Sequence, residues 1–82
     1  RPTLAGIAAH PLIGHESALR QGASLPRLFA QAGHTPRIGG SAHDAESIKA
    51  WVRAGLGVGV LSEMALEPVD TDLVVLPLDH LL

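Results

Sequence analysis

The chain has 82 residues, 46% of them apolar and 17% charged, which is the balance of an ordered globular chain and excludes intrinsic disorder. Six basic residues against eight acidic ones leave a net charge of −2, and the basic residues are scattered, which excludes a basic face for gripping nucleic acid. With no cysteine there is no disulfide, thiolate metal site or cysteine nucleophile, and no apolar run approaches the roughly 20 residues that span a bilayer.

The elements follow from the N-terminus. Thr3 to Ala9 reads as one short helical turn with Thr3 as its cap, ended by Pro11. Leu12-Ile13-Gly14-His15 is a short buried strand. Glu16 to Ala23 is polar and contains glycine, and reads as a loop. Ser24 is the expected N-cap of a second helix. Leu25, Leu28, Phe29 and Ala32 follow at helical spacing, with Pro26 tolerated in the first turn and Gly33 as the C′ stop.

Arg37 to Ser41 is a strand softened by Gly39 and Gly40. Asp44, or His43 before it, caps the next helix. Its expected buried stripe is Ala45, Ile48, Trp51, Val52 and Gly55, and its expected wet side is Glu46, Lys49 and Arg53. Gly57 to Leu61 is a strand, Ser62 to Leu66 a helical turn, and Leu73 to Leu76 a further strand. Strands alternating with helices predict an α/β fold with a mostly parallel sheet flanked by helices. Phe29 and Trp51 are the only aromatic residues, so Leu, Ile, Val and Ala must build the core.

Gly55-Leu56-Gly57-Val58-Gly59 superficially suggests a nucleotide loop. Phosphate-binding glycines follow a strand and open a helix, whereas these close a helix and open a strand. They read as a helix stop followed by sites of close packing. The five histidines share no ligand spacing: His15-Glu16 begins like a zinc-protease helix, but Leu19 stands where the second histidine belongs. No metal or other cofactor is therefore expected. None of the serines sits in a G-x-S-x-G elbow and no carboxylates pair by pattern, so no enzyme activity is expected.

Two loops do lie at the carboxyl ends of strands, where open α/β sheets collect ligands. One is Gly14-His15-Glu16-Ser17, and the other runs from Ser41 to Asp44. At the second, backbone N–H groups of Ala45 to Ser47 favour an anion or a polar oxygen, and Ser41 and His43 add a hydroxyl and an imidazole. Simple capping by Ser41 or Asp44, and a merely solvated first loop, are the plainer readings. Both stay open on the residues alone.

A wider pattern joins these pieces. Ala32-Gly33-x-Thr35-Pro36-Arg37, then Asp44-Ala45-x-x-Ile48-Lys49 and Val52-Arg53-x-Gly55-Leu56-Gly57-Val58-Gly59-Val60, resembles LysR-type transcriptional regulators. The similarity is to the branch that contains the cysteine-regulon activator, and it continues through Met64-Ala65, Pro68-Val69 and Asp72-Leu73-Val74.

The resemblance implies a bacterial regulator with an N-terminal winged helix-turn-helix, a linker helix and a two-lobed effector-binding domain like the type II periplasmic solute-binding proteins. Residues 1–82 correspond to the second lobe, with the DNA-binding domain outside the chain. The start on Arg1 and the apolar ending on Leu81-Leu82 likewise lead us to expect a fragment. The implied partners are a small-molecule effector held between the lobes, DNA only through the N-terminal domain, and a second copy of the parent protein. No membrane partner is implied, and the cysteine-free composition fits the cytoplasm. His15, Glu16, Ser41 and His43 are the expected effector-facing residues.

In that branch hydroxyl side chains and helix N-termini hold a small anion or an acetylated serine. This chain departs from the pattern, with GHESALRQGA where relatives carry a threonine-rich loop and His43 where they tend to carry threonine. Glu16 would repel sulfate unless Arg20 or a protonated His43 offset it, which leaves a zwitterionic or cationic effector open. A lobe of a transport system's solute-binding protein is the alternative reading, and a small α/β enzyme a third.

Overall fold

The structure is a computed structural model that describes residues 3–75. Three parallel strands form the sheet: β1 (Leu12–His15), β2 (Ile38–Ala42) and β3 (Val58–Val60), in the spatial order β2-β1-β3. Helix α1 (Leu4–Ala8) precedes β1, while α2 (Glu16–Leu19) and α3 (Ser24–Gln31) connect β1 to β2. Helix α4 (Ala45–Arg53) connects β2 to β3 across the central strand, and a 3-10 turn over Glu63–Ala65 follows β3. This is the expected parallel α/β sheet flanked by helices.

Strand alternation divides the core into two layers. Leu12 faces one side of the sheet with Ile7 and Phe29, backed by Leu19, Leu25 and Val58 from the elements around α1 and α3. Ile13 faces the other side with Ala42 and Ile48, backed by Trp51 and Val52 of α4. The central strand is thus covered on both faces, which is why Leu12-Ile13-Gly14 is a continuous buried run. Trp51 belongs to this second layer: its ring comes within 3.0 Å of the position a Cβ on Gly40 would take. The glycine in β2 is therefore the seat of the tryptophan.

Several local expectations are met. The Thr3 side chain accepts a hydrogen bond from the Gly6 N–H at 3.0 Å and caps α1. Asp44 Oδ1 accepts from the Ser47 N–H at 2.7 Å and caps α4. Gly33 and Gly55 take the left-handed conformation, with φ of 83° and 79°, and end α3 and α4.

Others are corrected. The segment expected as a loop from Glu16 to Ala23 begins with the short helix α2, because His15 Nδ1 accepts from the Ser17 N–H at 3.1 Å and nucleates a turn. Ser24 lies inside α3, where Ala23 is the N-cap and makes no side-chain capping bond. We therefore expect Ser24→Ala to change stability in urea by less than about 0.5 kcal/mol, the range of an exposed site. A capping serine would lose about 1 kcal/mol, so a loss of that size would restore the cap. The strand expected over Leu73 to Leu76 is absent from Leu73 to Val75, and Leu76 lies outside the described residues.

The largest correction concerns Lys49. Expected on the wet side of α4, it is 1% exposed, and its Nζ donates to Asp70 Oδ2 at 2.6 Å and Glu46 Oε2 at 2.9 Å. Asp70 also accepts from Arg53 at 2.7 Å and from the Glu67 N–H at 2.9 Å, while Arg53 Nε reaches Asp72 at 2.8 Å. These bonds fold the segment after the 3-10 turn back across α4. Its backbone has no strand pairing there, so side-chain ion pairs hold it in place.

Candidate functional site

The carboxyl ends of the three strands lie side by side, because all three are parallel and, past a register shift between Leu12 and Ile13 in the β1–β2 pair, Gly14 is level with Ser41 and with Val60. The residue that follows each strand's last buried position therefore emerges on one edge of the sheet. His15 closes β1 and caps α2, His43 follows β2 and precedes the Asp44 cap, and Leu61-Ser62 follow β3. Between them lies an open depression of about 410 Å³. Ile48, Val60, Leu61 and Ala65 contribute to its apolar lining, and His15, His43, Asp44 and Ser62 are its polar members.

Two of the four expected site residues, His15 and His43, line this depression, and a third, Glu16, stands against His43 without lining it. His43 Nε2 lies 3.2 Å from Glu16 Oε2, with both side chains largely exposed, and links the β2–α4 turn to the start of α2. The His15 and His43 rings stand edge to face with centroids 6.0 Å apart. His15 Nδ1 is also 2.7 Å from the Ser17 hydroxyl. Ser41 is separate: it is exposed, and alternation puts its side chain on the face opposite Ala42, away from α4. It does not line the depression.

The start of α4 differs in one respect from the open anion seat expected there. The Ser47 N–H is already bound by the Asp44 carboxylate, and that hydrogen bond holds the Asp44 carboxyl below its ordinary value. The helix thus carries its own anion at its N-terminus. Sequence reasoning also missed the third wall, Leu61-Ser62 with Ala65. The available signal was positional, since Ser62 follows the last strand as His15 and His43 follow the others.

Among the described residues no group of three histidine, aspartate or glutamate side chains converges on a point where a metal ion could be held. No helix of the described residues is long and apolar enough to cross a membrane.

The chain is 38% identical over 79 residues to the HTH-type transcriptional regulator CysB of Haemophilus influenzae, covering 96% of this chain and 24% of that protein. It is 39% identical over 80 residues to the HTH-type transcriptional regulator SsuR of Burkholderia cenocepacia, covering 96% and 26%. The HTH-type transcriptional regulator cbl of Klebsiella aerogenes is 34% identical over 70 residues, or 85% of this chain and 22% of that protein. The chain therefore spans about a quarter of the length of the curated relatives it matches. The family model for the LysR substrate binding domain matches residues 1–82 in full, and the chain belongs to that family.

Proposed function

We propose that residues 1–82 are the second lobe of the effector-sensing domain of a bacterial LysR-type transcriptional regulator. A small molecule, of sulfur-related or amino-acid type, binds between this lobe and the first and changes the closure angle of the pair. A DNA-binding domain in the same parent protein reads that change. DNA contact belongs to that domain and not to this one, whose net charge is −2. The parent acts as a homo-oligomer in the cytoplasm and has no catalytic role in this lobe.

The observation that supports the reading is a depression at the carboxyl edge of a parallel sheet, lined by His15 and His43, with Glu16 held against His43. Ligands of open α/β sheets bind at that edge. The relatives are named as transcriptional regulators, which favours this reading over a lobe of a transport protein. Signalling is a population shift, so the effector must bind the closed and open arrangements with different affinity.

The test is calorimetry on the intact two-lobed protein against small anions, amino acids and acetylated serine. We expect at least one to bind, and His43→Ala to weaken it by about tenfold, the cost of one charge-assisted hydrogen bond. The melting temperature should barely move, because exposed ion pairs add little stability. Binding that His43→Ala leaves unchanged would remove the edge depression as the effector site.

A further inference from the structure

Resting on the effector-sensing reading, we infer that Asp70 is a positioning residue of the effector site: held by Lys49 and Arg53, it fixes the wall that Leu61, Ser62 and Ala65 give the depression. That wall has little else to hold it. Ser62 is exposed, Ala65 is half-buried, and no residue of the 3-10 turn is fully buried. Among the described residues, the turn's hydrogen bonds close on themselves. The Ala65 N–H donates to the Ser62 carbonyl at 2.9 Å, the Leu66 N–H to the Glu63 carbonyl at 3.1 Å, and the Met64 N–H to the Ser62 hydroxyl at 3.3 Å. A segment with so few buried contacts opens locally at small cost unless something anchors it.

Across residues 61–75, Asp70 is the one fully buried residue. The Glu67 N–H donates to its Oδ2 at 2.9 Å, and its own N–H donates to the Glu67 carbonyl at 3.0 Å, so the carboxylate is locked to the backbone that leaves the turn. Its other bonds among the described residues go to α4, to Lys49 at 2.6 Å and Arg53 at 2.7 Å. The same helix lines the depression from its start, through Asp44, Ala45 and Ile48. One helix thus carries its own lining residues and the anchor of the other wall, and the spacing between them is set through Asp70. An apolar pair at this place would be about as stable, but only directional bonds hold the segment in one register.

The test puts an apolar pair there, Lys49→Met with Asp70→Leu, in the intact two-lobed protein and reads backbone order by NMR relaxation. Order parameters across residues 62–66 are expected to fall from about 0.85 to below about 0.6, while those of Leu12, Ile13 and Val58–Val60 stay at about 0.85. A role in stability alone would move the melting temperature without this local contrast. The same panel of small anions, amino acids and acetylated serine then reads the consequence. A compound that binds the unaltered protein should bind the double variant about tenfold more weakly, as losing one well-placed hydrogen bond would cause. Should the double variant not fold, Asp70→Asn is read in the same way, since an amide oxygen cannot accept from Lys49, Arg53 and the Glu67 N–H together. Order that survives in residues 62–66, or falls equally in the sheet, overturns the inference and leaves the effector site in place. So does a local loss of order with binding unchanged. If no compound of the panel binds the unaltered protein, the effector-sensing reading fails and the positioning role fails with it.

Discussion

Replacing Asp70 with leucine is expected to lower the melting temperature by roughly 10 °C or more, among the largest losses of any single change in this chain. The side chain is 5% exposed and accepts hydrogen bonds from Lys49, Arg53 and the Glu67 N–H. Without it, the buried Lys49 keeps only Glu46, whose own side chain is 73% exposed. A buried ammonium with one solvent-facing partner is costly, because the interior screens little and replaces no lost hydration.

The reverse change is milder. Lys49→Met leaves Asp70 with Arg53 and the Glu67 N–H, so its carboxylate stays bonded. The expected order is Asp70→Leu well below Lys49→Met, with the double variant recovering part of the loss, since burying an apolar pair there removes the desolvated charge. Thermal melts of the three variants decide it. Equal losses for the two single variants would mean that Lys49 can reach water, and that the network is a surface one.

The same cluster sets a pH dependence whose sign is fixed. Its hydrogen bonds to Lys49 first, and then to the Glu67 N–H and Arg53, hold the Asp70 carboxyl far below its ordinary value of 3.8. Asp72 is likewise lowered, by Arg53. Groups depressed on folding stabilise fully above their unfolded value and lose that contribution as pH falls towards the folded one. Lys49, raised above its ordinary 10.5 chiefly by Asp70, stabilises below that value and loses the contribution as pH rises through the raised one. Melting temperature should therefore fall as pH drops below about 4, and Asp70→Asn should flatten that acid limb, Asp72 accounting for part of what remains.

This cluster also marks where sequence reading ran out. Helix existence, the parallel sheet and the two carboxyl-edge loops were legible, because apolar spacing and glycine stops act over a few residues. Thr3 as a cap and Gly33 and Gly55 as helix stops are local signals that the structure bears out. Of the two caps left open, Asp44 rather than His43 serves α4. Gly55, however, is exposed beyond the helix and takes no part in the buried stripe expected of it. Lys49 was misplaced because its partner lies 21 residues away in a segment with no periodic pattern. A lysine on a helix face is ordinarily wet, and only tertiary structure shows that Asp70 covers it. His15 hid the start of α2 for a related reason: an imidazole acting as an N-cap is uncommon, and the four-residue helix behind it is too short for periodicity to show. At the candidate site, the place of His15, Glu16 and His43 at strand ends was legible in the sequence, whereas the depression's wall from β3 needed the register of the sheet.

That register depends on Gly57, and Gly57→Ala is expected to cost about 3 kcal/mol in a urea titration. A Cβ there would stand 2.3 Å from the Pro11 carbonyl oxygen and 3.2 Å from the proline ring, while φ is 158°. The Pro11 oxygen cannot easily withdraw, because it accepts from the Val58 N–H at 2.8 Å. The next N–H, of Leu12, donates to Arg37 at 2.7 Å on the other side. The Pro11-Leu12 peptide is thus clamped between β3 and β2, and moving it loosens the first rung of both ladders. Gly55→Ala is the matched control: its φ of 79° is also unfavourable to alanine, but nothing lies within 4 Å, so strain alone costs about 1 kcal/mol. If the two losses are equal, the clamp relaxes and close approach has no part in the glycine run. If Gly57→Ala is the larger, the displaced register should also shift Val60 and Leu61 against His15. Effector binding should then weaken even under conditions where the variant stays folded.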